Sequence, residues 1–314
     1  MQSLLTPPLP AQLPWIWTML SLGALLVHMF PSFFGPIASH GKLRRKSHGH
    51  NHHPVTAATS FAFMHHPLLQ VPKRWFIHFY VIGSSLTSLH MFTIHRRRYH
   101  MHMHMPAHDN YSLELLPVSI LLCLFLLHCI RRWLECIWFL SEFKQSKMHL
   151  LGYLVGVLHY IVAPYSLATA TFNPILTPSQ MIAIIVFIFA NVEQLRIHRV
   201  FYYVKKEKMK TGNAQTQRSL PSHLAHYLFA YICCPHYLME IIIYVSFVLY
   251  TSGRSLGLVG MLLWVTTNLA VVADVQYKWY YQGDKYEERS RHRSRSTDIA
   301  EDTSRMKRLI PFVW

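Results

Sequence analysis

The stretch Tyr227–Tyr250, YLFAYICCPHYLMEIIIYVSFVLY, has the length and apolar character of a membrane span and carries one acid, Glu240. A carboxylate at the middle of a bilayer costs on the order of 2.5–3.5 kcal/mol on insertion scales, so it needs a partner or a wet pocket. An acid in this position therefore indicates a functional role. Glu240 is the first candidate site residue.

The composition places this stretch in a membrane protein. Of 314 residues, 52% are hydrophobic and 14% are charged, whereas about a quarter are charged in an ordinary soluble domain. Apolar windows of about 20 residues, enough to cross roughly 30 Å of hydrocarbon, recur along the chain. They lie near Trp15–Pro36, Trp75–Ile94, Leu115–Leu140, Met148–Ala170, Ile175–Gln194, Tyr227–Tyr250 and Ser255–Gln276. The sequence thus predicts an all-α membrane protein with about seven transmembrane helices.

The basic residues indicate how these helices are oriented. If the N-terminus is lumenal and the C-terminus cytosolic, most of the 30 Lys and Arg residues lie on the cytosolic side, as the positive-inside rule requires. The glycosylation sequon Asn110–Ser112 then lies on the lumenal side. The net charge of +16 is explained by this cytosolic coat and its contact with lipid headgroups, so nucleic acid is not expected as a partner.

The chain is predicted to form a transmembrane domain at residues 1–282, which contains two histidine-rich segments and is followed by two segments of different composition. Residues 40–66 and 95–108 are rich in histidine and are predicted to be loops, either solvated or metal-binding, of which we favour the first. Residues 283–308 are charged and rich in serine, which predicts a disordered insert. The apolar residues 309–314 are predicted to dock back onto the domain.

Three of the predicted spans carry polar residues at helical spacing, each on one face. The stripes consist of His128, Arg131, Arg132 and Glu135 in the third span, Asn191, Gln194, His198, Tyr202 and Lys205 in the fifth, and His236 and Glu240 in the sixth. They could pair with one another between helices. Because three separate stripes would leave many groups unmatched, we favour a cavity for a polar, anionic ligand that enters from the cytosol.

Glycine-rich nucleotide motifs such as GxGxxG and GxxxxGK[ST] do not occur, so a nucleotide ligand would be bound without a Rossmann domain. Five segments carry a more specific signal. They are Val71–Tyr80 (VPKRWFIHFY), Leu127–Cys136 (LHCIRRWLEC), Cys234–Tyr244 (CPHYLMEIIIY), Lys278–Tyr280 (KWY) and Leu309–Trp314 (LIPFVW). Together they resemble the steroid 5α-reductase family, in particular its polyprenol reductase branch, over about residues 71–282 and the last six residues.

This resemblance implies a seven-helix membrane fold that encloses NADPH between its helices and reduces a carbon–carbon double bond. It further implies a long-chain polyprenyl lipid substrate, the endoplasmic reticulum membrane, and a role in making dolichol for protein N-glycosylation. By motif position, the implied cofactor-binding residues are Gln194, His198, Lys205, Arg218, His236, Glu240 and Tyr280. The third-span stripe would add Arg132 and Glu135 to the substrate cavity.

Hydride addition to a double bond needs an electron sink, which a conjugated carbonyl provides and an isolated allylic alcohol does not. The reducible substrate is therefore expected to be the aldehyde, polyprenal. A hydrogen-bond donor must then stabilise the enolate oxygen, and another group must supply a proton. The candidates for these roles are Tyr277, Tyr280, His128 and Lys73.

Two other functions remain open from the sequence. The first is a steroid or enoyl reductase with the same fold and a different substrate, although the Val71–Arg74 and Arg131–Cys136 segments fit the polyprenol branch better. A zinc or copper transporter could use the histidine-rich segments, but the predicted spans carry few acids to pair across a transport path. No metal site is assigned, and the sequence makes no prediction of oligomeric state.

Overall fold

The structure, a computed structural model, describes residues 11–29, 69–104, 116–140, 147–171, 177–211 and 227–291. Helices make up most of these residues. They are α1 (Leu13–Met29), α2 (Phe76–His104), α3 (Leu116–Leu140), α4 (Leu150–Ala168), α5 (Pro178–Thr211), α6 (Pro235–Tyr250) and α7 (Leu256–Arg291). Two short strands, β1 (Gln70–Pro72) and β2 (Lys147–His149), pair antiparallel.

Each predicted span overlaps one of these helices. Three of the helices are long and apolar enough to cross a membrane, namely α4, the Pro178–Val204 part of α5 and the Leu256–Lys278 part of α7. The prediction of an all-α membrane protein is therefore confirmed, and the described residues include no parallel sheet of a Rossmann domain. The number of helices that cross the membrane stays a prediction.

The sixth helix begins later than the sequence predicted. Residues Tyr227–Ala230 form a 3-10 turn, and α6 starts only at Pro235. Proline has a fixed φ and no N–H, which suit the first turn of a helix, where the N–H would have no intrahelical partner. Glu240 therefore lies in the second turn of α6 rather than at the middle of a long apolar helix.

Two other helices extend beyond their predicted spans. The helix α2 continues to His104, so much of the second histidine-rich segment is helical, and α7 continues to Arg291, into the predicted insert. Neither 95–104 nor 284–291 contains glycine or proline, and the Glu287 and Arg291 spacing favours a helix. Residues 40–66, 105–108 and 292–314 lie outside the described part of the chain.

The first helix is packed into the bundle against α7. Trp17 of α1 is fully buried, and its indole N–H donates to the Ser166 hydroxyl of α4 over 3.2 Å. Gly260 of α7 permits this approach, because a Cβ there would lie 3.1 Å from the Trp17 Cβ. The helices α2 and α4 begin side by side, since β1 and β2 pair directly before them.

Close packing of α2 on α4 depends on a glycine. A Cβ on Gly156 would lie 2.5 Å from Phe79 Cζ, and the Phe79 ring is held by stacking on Tyr153 at 5.4 Å and Tyr160 at 5.9 Å. Gly152, one turn earlier, differs because a Cβ added there would have no neighbour within 4 Å. The Gly152-x-x-x-Gly156 pair thus contains one residue that requires glycine and one that does not.

Replacing Gly156 with alanine is expected to destabilise the protein by about 1–3 kcal/mol, as overpacking of a filled core does. The Gly152→Ala variant is the matched control and should be at least as stable as wild type, because alanine favours a helix by about 1 kcal/mol over glycine. The measurement is the midpoint of thermal unfolding in detergent. Equal midpoints for the two variants would contradict the packing described here.

Candidate functional site

The polar stripes of α3, α5 and α6 face one another and form one hydrogen-bonded network, here called the polar cluster. Its members are His128, Arg131, Arg132 and Glu135 of α3, Asn191, Gln194 and His198 of α5, and Glu240 of α6. The 3- and 4-residue spacing on each helix places these side chains on single faces. Side chains from all three predicted stripes therefore lie together, and their role as one binding site stays a prediction.

One half of the polar cluster is organised by Glu135. This carboxylate is 3% exposed and accepts hydrogen bonds from the guanidinium groups of Arg131 and Arg132. His198 completes the shell, with its Nδ1 2.7 Å from Glu135 Oε2. Arg132 also lies over the Tyr80 ring of α2, 5.3 Å from the ring centroid, so the site extends to a fourth helix.

The other half is organised by Glu240. Gln194 donates its side-chain N–H to Glu240 Oε2 over 2.6 Å and also to the backbone carbonyl of His236 over 3.1 Å. His128 Nε2 lies 3.3 Å from Glu240 Oε1. The acid of the sixth predicted span is therefore held by one residue from α5 and one from α3.

Asn191 and Arg131 join the two halves. The Asn191 amide N–H donates to the Phe187 carbonyl over 2.8 Å, which leaves its Oδ1 to accept from Arg131 Nε at 3.0 Å and His128 Nδ1 at 3.1 Å. Arg131 also donates to the Gln194 side-chain oxygen. Both residues lie on the predicted stripes, but nothing in their spacing ranks them above their neighbours.

The expectation of many unmatched polar groups is wrong for the polar cluster. Its two arginines and two glutamates balance formally, and the groups bond one another across the helices. The interhelical pairing that the sequence left open is therefore present. A bound ligand would have to exchange with part of this network, and the predicted intramembrane cavity stays a prediction.

The start of α6 connects the polar cluster to α7. The His236 ring packs edge-on against Phe201, with ring centroids 4.9 Å apart, and lies 5.8 Å from the His198 ring. On the next residue, the Tyr237 hydroxyl accepts a hydrogen bond from Gln276 over 2.8 Å. Gln276 precedes Tyr277, which packs partly buried against the core.

The remaining predicted site residues are Lys73, Lys205, Arg218 and Tyr280. Lys73 lies in the 3-10 turn Lys73–Trp75 that precedes α2. Lys205 and Tyr280 lie on α5 and α7, but only their backbone is described. Arg218 lies outside the described residues.

A second buried polar group was not predicted from the sequence. The indole N–H of Trp264 on α7 donates to His159 Nδ1 on α4 over 3.2 Å. His159 Nε2 lies 2.8 Å from the Tyr244 hydroxyl oxygen on α6. We call these three residues the inner triad. They lie on three helices and share no spacing in sequence, so only the proximity of Tyr244 to Glu240 on α6 could have indicated one of them.

The metal-transporter alternative gains no support from the part of the chain that the structure describes. No group of three His, Cys, Asp or Glu side chains there could hold a metal ion. Asp274, an acid within α7, is buried and forms an ion pair with Lys278 over 2.6 Å. The first histidine-rich segment lies outside the described residues.

Comparison with known proteins gives a consistent result. Residues 139–296, half of the chain, match the family described as 3-oxo-5-alpha-steroid 4-dehydrogenase. A rice protein (Oryza sativa subsp. indica) named polyprenal reductase 1 is 24% identical, with 90% of this chain and 94% of the relative covered. The polyprenal reductase of Saccharomyces cerevisiae is 28% identical over 77% of this chain and 75% of its own. That of Caenorhabditis elegans is 26% identical over 68% and 75%.

Proposed function

The chain belongs to the 3-oxo-5-alpha-steroid 4-dehydrogenase family, and from that premise we propose that it is an NADPH-dependent reductase of the α-isoprene double bond of polyprenal, a step toward dolichol. The observation that carries the proposal is that the rice, yeast and nematode relatives, which align over most of both chains, are all named for polyprenal. The protein is thus an oxidoreductase that acts on a carbon–carbon double bond.

The chemistry of the reaction agrees with an aldehyde substrate. Electrons added at the carbon β to a carbonyl are accepted by the carbonyl oxygen, whereas an allylic alcohol offers no such acceptor. The prenyl chain is apolar, so the substrate reaches the site laterally from the lipid. Arg132 and Glu135 are assigned to the wall of the substrate cavity, on the polar face of α3.

The donor set of the polar cluster fits NADPH. The amide of Gln194 and the carboxylate of Glu240, 2.6 Å apart, offer the donor and acceptor that a nicotinamide carboxamide requires. The imidazoles of His198 and His236 lie next to them. Because α5 continues to Thr211, Lys205 is on the same helix as Gln194 and is assigned as a cation for the phosphates, as is Arg218. Tyr280 of α7 is assigned as a hydroxyl donor.

When bound, NADPH supplies a hydride to the carbon β to the aldehyde. The protein's own residues bind the dinucleotide, exclude water and hold the aldehyde oxygen through a hydrogen-bond donor while charge develops on it. From the sequence, Tyr277, Tyr280, His128 and Lys73 are candidates for this donor or for the proton source at the α carbon. His128 already directs its two ring nitrogens toward Asn191 and Glu240, which makes it the weakest of the four.

The proposal includes a location in the endoplasmic reticulum membrane, with seven crossings, a lumenal N-terminus and a cytosolic C-terminus. The distribution of Lys and Arg supports this orientation, and the three helices that are long enough to span support a membrane location. In this orientation the start of α6 and the polar cluster lie on the cytosolic side. NADPH then enters from the cytosolic side.

Loss of the protein is expected to change the prenyl lipids of the cell. Mass spectrometry of cells that lack it should show polyprenyl species with an unsaturated α-isoprene unit accumulating at the expense of dolichol. Restoring the wild-type chain should reverse the change. Normal dolichol in the deleted cells, with no unsaturated species, would argue against the proposed function and favour a steroid or enoyl substrate.

A further inference from the structure

The inner triad forms a chain of hydrogen bonds with a fixed direction. An indole N–H can only donate, so Nδ1 of His159 must accept the hydrogen bond from Trp264. The Nε2 of the same ring then carries the proton, and this N–H donates a hydrogen bond to the Tyr244 hydroxyl oxygen, 2.8 Å away. Trp264 therefore sets the tautomer of His159, and His159 sets the orientation of the Tyr244 hydroxyl.

Because the Tyr244 oxygen accepts the hydrogen bond from His159, the Tyr244 O–H must donate its own hydrogen bond to another group. Tyr244 is 1% exposed, and no group among the described residues accepts a hydrogen bond from it. Tyr250, on the same helix and also 1% exposed, differs because its hydroxyl donates to the Pro117 carbonyl over 3.1 Å. Burying a donor without an acceptor is unfavourable, so an oxygen acceptor delivered by a ligand is favoured at Tyr244.

The position of Tyr244 fits the substrate rather than the cofactor. Tyr244 follows Glu240 by four residues on α6, so both side chains lie on one face, one turn apart. It is further from Pro235, near which Gln194, His198 and His236 lie together. Its ring packs against Phe247, with centroids 5.7 Å apart. A hydrogen bond in such apolar surroundings is stronger than one in water.

We propose that Tyr244 is the catalytic hydrogen-bond donor to the aldehyde oxygen, and that His159, fixed by Trp264, is a positioning residue. This inference rests on the proposed function. As the hydride and its electron pair reach the β carbon, the double-bond electrons move toward the carbonyl and the oxygen becomes an enolate oxygen. Tyr244 O–H stabilises that charge. The α carbon then takes a proton from one of the candidate proton sources named above, which restores the carbonyl, and the oxidised product of the hydride transfer would be NADP⁺.

Replacing Tyr244 with phenylalanine tests the role directly. Loss of a donor to a developing oxyanion is expected to lower kcat for polyprenal on the order of 100- to 1,000-fold. NADPH affinity should change by less than about twofold, since Tyr244 lies outside the proposed cofactor residues. Tyr250→Phe is the matched control, because it removes an equally buried hydroxyl that already has an acceptor, and its kcat should stay within about threefold of wild type.

Binding provides a second readout that does not depend on turnover. Polyprenal added without NADPH should raise the unfolding temperature of wild type and of Tyr250→Phe, because a ligand that binds the folded state stabilises it. The rise should be clearly smaller for Tyr244→Phe. An equal rise for all three proteins, with equal kcat, would overturn the assignment of Tyr244 while leaving the proposed function intact.

Two variants of His159 decide the question if Tyr244→Phe fails to fold. Glutamine can still donate an N–H to Tyr244, so His159→Gln should keep kcat within about 10-fold of wild type. Leucine cannot donate, and His159→Leu should lose kcat to an extent similar to that expected for Tyr244→Phe. Equal activity of these two variants would overturn the inference. A wild-type protein with no polyprenal reduction would overturn the proposed function as well.

Discussion

Replacing Glu240 with glutamine is expected to weaken NADPH binding by about 10- to 100-fold, the equivalent of about 1.5–3 kcal/mol for a hydrogen bond to a charged group. The substitution keeps the size of the side chain and removes its charge. Gln194 can still donate to the new amide oxygen, so the folded protein should accumulate at a normal level. The measurement is the Kd for NADPH of purified protein, with NADPH turnover as a second readout.

Glu193 provides the control for this experiment. It lies beside Gln194 on α5, is buried, and forms an ion pair with Arg196. The Glu193→Gln variant should bind NADPH within about twofold of wild type. An unchanged Kd and turnover in Glu240→Gln would remove Glu240 from the cofactor site and leave it as an interhelical contact.

Replacing Glu135 with leucine is expected to destabilise the protein by about 3–5 kcal/mol, the range found when one partner of a buried ion pair is removed. Two guanidinium groups and the His198 imidazole converge on this carboxylate. Without it, Arg131 and Arg132 repel each other inside the bundle. The measurement is the unfolding midpoint in detergent, together with the fraction of protein that remains monodisperse.

The double variant Glu135→Leu with Arg132→Leu separates this effect from simple loss of packing. Removing one of the repelling cations should restore part of the stability lost in Glu135→Leu, because the coupling between contacting residues is not additive. Glu135→Gln, which keeps an acceptor, should lie between wild type and Glu135→Leu. If Glu135→Leu unfolds at the wild-type temperature, the ion network does not stabilise the bundle.

The helices and their polar faces could be predicted because both depend on local periodicity. Apolar windows predicted a helix at every place where the structure has one, and spacing of three and four residues grouped His128 with Glu135 and Gln194 with His198. The start of α6 could also have been predicted, since proline is common in the first turn of a helix and Pro235 occupies that position. The apolar composition of Tyr227–Tyr250 outweighed that signal in the prediction.

What could not be predicted depends on contacts between distant helices. His159 is separated from Tyr244 by 85 residues and from Trp264 by 105, and each resembles an ordinary core residue of its own helix. The hydrogen bonds between the stripes could not be predicted either, because residue spacing shows that a helix face is polar but not which groups on other helices it contacts. That pairing changes the expectation from a preformed charged cavity to a network that a ligand must partly displace.

The most direct test is a comparison of two substrates with purified protein and NADPH. Polyprenal should be reduced at its α-isoprene double bond, with one NADPH consumed per double bond, whereas polyprenol of the same chain length should be reduced far more slowly. A 4-ene-3-ketosteroid and an enoyl thioester serve as the competing substrates. Equal rates with polyprenal and polyprenol, or faster reduction of the steroid or the thioester, would contradict the proposed function.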